Sequence, residues 1–82
     1  MLPNASYFHL GDNGLYYGNY GGLDYSAGKE DGKAAVPAYP TPVDAYDKLF
    51  YQHDLALQNA STPGERLDAH IQVVEGVWHL LF

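Results

Sequence analysis

The sequence predicts a mainly α domain, in which an antiparallel pair of helices packs on an N-terminal Gly/Tyr-rich loop with a short β-hairpin. Three observations predict it. Seven of the nine Gly lie between Gly11 and Gly32, interleaved with Tyr16, Tyr17, Tyr20 and Tyr25. This is loop chemistry: Gly supplies unusual backbone angles and Tyr supplies rigid packing. After residue 40 the apolar residues recur at helical spacing. Finally, Thr41-Pro42-Val43-Asp44 and Thr62-Pro63-Gly64-Glu65 are two helix starts of the same design, each with a Thr cap, Pro at the first helical position and an acid three residues on.

The elements follow in order along a single domain, residues 1–82. A hairpin is expected from Tyr7–Leu10 and Leu15–Tyr17, turning through Gly11-Asp12-Asn13-Gly14. Residues 26–40 read as an exposed connection, which closes a loop-rich first half (1–40). The first helix (within 41–60) is expected from Pro42 to Gln58, with Val43, Tyr46, Phe50 and Leu57 as its apolar stripe, joined by Leu49 and Ala56. The second (within 62–82) starts at Pro63 and aligns Leu67, Ile71, Val74, Trp78 and Leu81. Only Asn59-Ala60-Ser61 links the two, so they turn back antiparallel.

Composition narrows the function. A chain of 82 residues buries only about 60% of its unfolded surface and usually needs added support. The absence of Cys excludes disulfides and thiolate metal sites. Oxygen ligation of a hard cation, association with other chains, or very good helix packing remain. The net charge is −6, and only Lys29, Lys33, Lys48 and Arg66 could meet phosphates, which argues against nucleic acid. Membrane contact through apolar residues stays open. The first fifteen residues hold no Lys, Arg or apolar run, so no signal peptide is expected. The apolar run Val77–Phe82 is far short of the ~20 residues that span a bilayer.

Chemistry gathers where the first helix's stripe meets polar residues. Tyr46, Phe50, His53, Asp54 and Leu57 share the packed side. His53 lies about six residues before the link and Asp68 about six after it. At a rise of ~1.5 Å per residue both stand roughly 9 Å from the turn, which predicts that they come level. An acid beside a His fixes its tautomer and supports its cation, as a general base requires. Asp54 points ~100° away and needs a partner of its own, because a buried unpaired carboxylate is costly. Calcium takes six to eight oxygen ligands, including backbone carbonyls. The stretch Tyr17–Asp24, with Gly18, Gly21 and Gly22, can turn carbonyls inward, so the Gly/Tyr loop is expected to be metal-binding.

At these residues the chain resembles the phospholipase A2 superfamily. Tyr17-Gly18-Asn19-Tyr20-Gly21-Gly22 resembles its calcium loop, Tyr-Gly-Cys-Tyr-Cys-Gly. The run Pro42–Asp54 resembles its active-site helix, Pro-x-Asp-x-x-Asp-x-Cys-Cys-x-x-His-Asp, matching at every non-Cys position. Arg66-Leu67-Asp68-Ala69-His70-Ile71 resembles the start of the second catalytic helix in short microbial members. The resemblance implies a calcium-dependent hydrolase of the sn-2 ester of glycerophospholipids, secreted or released from its cell, acting at a membrane or micelle surface. His53 is then the general base and Asp68 its orienter. Asp54 and the carbonyls of Tyr20, Gly22 and Asp24 hold Ca2+, and the Gly22 amide helps hold the oxyanion. A homo-oligomer is compatible with all of this.

The chain also departs from the family. Asn19, Gly21, Leu49, Phe50 and Ala56 stand at framework Cys positions, Leu57 replaces a Tyr, and Asp24 replaces a loop Gly. The family's N-terminal helix has no counterpart. The departures point to a second function, a catalytically silent module of the same fold that binds calcium, lipid or protein. A helical hairpin whose His–Asp pair is incidental is a third. His9, His70 and His79 read as surface or packing residues. Asp44 and Asp47 are explained by the helix dipole alone.

Overall fold

Asp44 starts the first helix. In the computed structural model, which describes every residue from Met1 to Phe82, the Asp44 side chain accepts from the Asp47 amide at 2.8 Å. Helix α1 then runs Ala45–Asn59. The start expected at Pro42 is three residues early, because the Val43 amide donates to the Asp47 carboxylate at 2.9 Å and holds that segment outside the helix. Helix α2 runs Pro63–Leu81 behind a Thr62 cap. Thr62 Oγ1 accepts from the Glu65 amide at 3.1 Å, and Glu65 accepts from the Ser61 amide at 3.1 Å. The Ser61 donors, then Thr62, hold the Glu65 carboxyl below its usual range.

The first half corrects the mainly α expectation: the chain is α+β. Strand β1 (Phe8–Gly11) pairs antiparallel with β2 (Gly14–Tyr17), and β3 (Tyr25–Ser26) pairs with β4 (Lys29–Glu30). The second hairpin lies in the stretch read as a connection. Ala27 and Gly28 turn it at φ of 54° and 73°, the sign that tight hairpin turns require, and Ala at such a position carries no turn signal. Nor does the Gly/Tyr stretch gather three or more His or acidic side chains about a metal position.

Tyrosine makes most of the core. Tyr16, Tyr17, Tyr20, Tyr25 and Tyr46 are five of the seven buried apolar residues. Tyr16 and Tyr25 stack at 4.2 Å between ring centroids, which packs the two hairpins together. Tyr17 meets Tyr46 and Phe50 edge-on at 6.3 and 5.9 Å, which packs them on α1. Each of these tyrosine hydroxyls has an acceptor: Glu30 for Tyr16, Asp44 for Tyr17, the Pro40 carbonyl for Tyr20, the Gly18 carbonyl for Tyr25 and the Met1 carbonyl for Tyr46. A ring can thus be buried at the cost of one well-placed bond. Burial, with the Asp44 contact, pushes the Tyr17 hydroxyl up to about 12.

Asp47 ties the halves together. It is fully buried, and its carboxylate accepts from the amides of Asn19 (3.0 Å), Tyr20 (2.9 Å) and Val43 (2.9 Å). A buried carboxylate is tolerated when amides take the place of water. Gly18 makes the approach possible. Its φ is 58°, and a Cβ there would lie 2.6 Å from the Asp47 carboxyl carbon. The dipole reading of Asp47 is therefore too small: this acid organises the loop. The segment to α1 is strapped down as well, since Gln58 bonds both the amide and the carbonyl of Ala34 at 2.6 and 3.0 Å.

The helices pack antiparallel, but not through the row expected of α2. Ala69 is buried against α1, and Gly76 lies so close that a Cβ would come within 2.6 Å of the Leu49 side chain. Leu67, Ile71, Val74 and Trp78 are exposed. Two apolar rows run along α2, and the one with small residues allows the closer helix approach.

Asp47→Ala is expected to lower the unfolding free energy by about 3 kcal/mol or more in urea titration, because three amides lose their acceptor at roughly 1–3 kcal/mol each. Gly18→Ala should lower it through the same contact. Stability within about 0.5 kcal/mol of the parent for Asp47→Ala would show that the carboxylate does not hold the loop.

Candidate active site

The third turn of α1 brings His53 and Asp54 to the wall of a cleft of about 500 Å³. The opposite wall is the Gly/Tyr stretch and β3. Tyr20, Gly22 and Asp24 line it, with Ser26 beside them. The Asp47 tie fixes this wall, since it anchors the Tyr20 amide on the same helix two turns earlier. Gly22 permits a close backbone path: its φ is 153°, and a Cβ would meet the Tyr16 ring at 2.2 Å. Asp24 sits at φ 51°, a left-handed position that Asp adopts more readily than most residues, so a Gly is not needed there.

Asp54 has no partner for Oδ2. The atom is buried and accepts no hydrogen bond, and Ser26 Oγ is likewise buried and unpaired. Burial pushes the Asp54 carboxyl up to about 7, the nearby Ser26 hydroxyl opposes the rise and the Asp47 charge adds to it. An orphaned buried carboxylate oxygen marks a position for a proton or a cation.

His53 has one occupied and one free nitrogen. Its Nε2 lies 2.9 Å from His70 Nδ1, and its Nδ1 is 3.9 Å from Asp54 Oδ1. Burial, and then the electrostatic influence of His70, lower its pKa, which favours the neutral ring at pH 7. If Nε2 carries the proton and donates to His70, Nδ1 presents a lone pair on the Asp54 side.

Asp68 is not brought to His53. It is exposed and borders a different, shallow depression with Ala56, Asn59 and Glu65. Equal rise from the link sets height along a helix but not the angle around it. That angle follows from docking Ala69 and Gly76 on α1, which turns His70 to His53 and Asp68 away. His70, read from sequence as a surface or packing residue, is the neighbour of His53. Ser26 carried no sequence signal, because its burial depends on the second hairpin.

Comparison with protein-family models, curated proteins and solved structures returns no match.

The pH dependence of stability follows from Asp54. The folded chain keeps its proton up to about pH 7, whereas the ordinary value is 3.8. Between these values the folded state binds more protons than the unfolded, so unfolding free energy falls as pH rises from about 4 to about 7. Asp54→Asn should remove this part of the slope. Urea titrations across that range check it, and equal slopes for parent and variant would refute it.

Proposed function

We propose that this chain is a calcium-dependent hydrolase of phospholipase A2 type, cleaving the sn-2 ester of glycerophospholipids at a membrane or micelle surface. The observation that carries the reading is the unpartnered Asp54 oxygen beside His53, in one cleft with Tyr20, Gly22 and Asp24. The residues fit a hard cation. The Tyr20 and Gly22 carbonyls accept no hydrogen bond, and the Asp24 carbonyl accepts one, from the Asp31 amide at 2.7 Å, which leaves it a second lone pair. Asp54 and these three carbonyls would hold Ca2+. Bound calcium supplies Lewis-acid polarisation of the ester carbonyl.

The chain's own residues do the rest. His53 Nδ1 takes a proton from water as the water oxygen attacks the ester carbon. It returns that proton to the departing alcohol oxygen, so fatty acid and lysophospholipid leave and the imidazole is restored. His70 holds the Nε2–H and keeps the reactive nitrogen on the cleft side. The Gly22 amide, which donates to no other acceptor, stabilises the oxyanion.

One observation favours a second reading, a catalytically silent calcium- or lipid-binding module: the partner of His53 is an imidazole, which supports a developing imidazolium less well than a carboxylate does.

Fatty-acid release from phospholipid vesicles should require calcium and fall about 100-fold or more in His53→Ala, while Asp68→Asn stays within about 2-fold of the parent. Calcium binding without turnover on any lipid would select the silent module. Neither binding nor turnover would sink both readings. In the pH–rate profile at saturating calcium, where the ion would displace the Asp54 proton, the acidic limb reports deprotonation of His53, below its ordinary 6.5. His70→Gln removes the electrostatic influence that, after burial, lowers the His53 pKa, and should move that limb to higher pH. An unmoved limb would deny His70 its positioning role.

A further inference from the structure

The row of α2 that faces away from α1 is a second packing surface with a regular design. Leu67, Ile71, Val74, Trp78 and Phe82 are 45–85% exposed. With Leu81, the row steps 4, 3, 4, 3 from Leu67, the spacing of a two-helix seam. Trp78, Leu81 and Val74 also edge an all-apolar groove of about 320 Å³ that Phe50 floors. The chain exposes more surface than a compact protein of its mass does. Its accessible area is 5390 Å², against about 4,850 Å² for a compact chain of 9.0 kDa.

We propose that this face is the interface of an antiparallel homodimer, with the twofold axis at Val74. Three features of the row select a second copy. First, the row is self-complementary. Leu67 and Leu81 lie seven residues either side of Val74, so reversal of the helix brings Leu67 against the other copy's Leu81 and Val74 against itself, as an isologous contact requires. Second, antiparallel helices oppose their dipoles, whereas a parallel pair would align them. Third, the area is sufficient. At roughly 200 Å² for a large apolar side chain, the row offers about 600 Å² per copy, and the pair would bury about 1,200 Å², above the roughly 1,000 Å² that a specific interface needs. An anionic bilayer fits less well, because the chain carries a net charge of −6 and α2 has Arg66 as its one Lys or Arg. The inference does not depend on the hydrolase reading.

Sedimentation equilibrium across about 5–500 μM should show the mass rising from 9.0 kDa to twice that value. Val74→Glu should stay monomeric with unchanged helical circular dichroism, since Val74 is exposed in the single chain. The chain has no Cys, so single substitutions report the geometry. Val74→Cys should form a disulfide-linked dimer under mild oxidation. Leu67→Cys should not link to itself, but should link to Leu81→Cys when the two variants are mixed. A monomer at every concentration overturns the proposal. Leu67→Cys linking to itself overturns the antiparallel register. A parent chain that stays monomeric and binds phosphatidylcholine vesicles, with the binding lost in Val74→Glu, assigns the face to lipid and overturns the dimer.

Discussion

A single buried carboxylate holds this fold in register. Asp47 leaves α1 one turn after its cap and takes amides from the loop between the hairpins and from the chain entering the helix. Without an acceptor there, Asn19 and Tyr20 would need water inside the aromatic core. With it, the wall of the cleft is fixed on the helix that carries His53 and Asp54. The demand on Gly18 is part of the same constraint, because only a residue without Cβ lets the backbone come this close.

Tyrosine suits such a core. The chain has few residues to bury and no Cys to restrain them. Each ring removes a large apolar area from water, while its hydroxyl ties a distant backbone or acid. The bonds from Tyr17 to Asp44, Tyr20 to Pro40 and Tyr46 to Met1 all join segments far apart in sequence. They do work that a disulfide does elsewhere, restricting which loops can separate. Small residues on α2 complement this on the other side of α1, and so the larger apolar row of α2 is left outward.

The cleft combines opposite electrostatic demands. Asp54 is held in a place that disfavours its charge, and burial together with His70 keeps His53 neutral. Burial of this kind favours a protonated acid beside an unprotonated imidazole. A cation at Asp54 would reverse the acid's preference and leave the base free, so the ion and the proton compete for one oxygen.

Local signals were legible in the sequence wherever the interaction is local. The Thr62 cap, the link and the run of α2 are set by contacts within a few residues, and so is the turn at Gly11–Gly14. The adjacency of His53 and Asp54 is a matter of chain order. The first cap is Asp44 and not Thr41, because both fit a helix start and the Asp47 carboxylate, engaged with the loop, decides between them. Only the tertiary structure decided the second hairpin, the partner of His53 and the inward face of α2. The hairpin turns on a left-handed Ala that gains stability from Tyr16 stacking on Tyr25. The other two depend on the rotation of one helix about its axis. Periodicity cannot choose between two apolar rows, whereas steric fit can: Gly76 against Leu49 admits one rotation, and that rotation delivers His70 to His53 in place of Asp68.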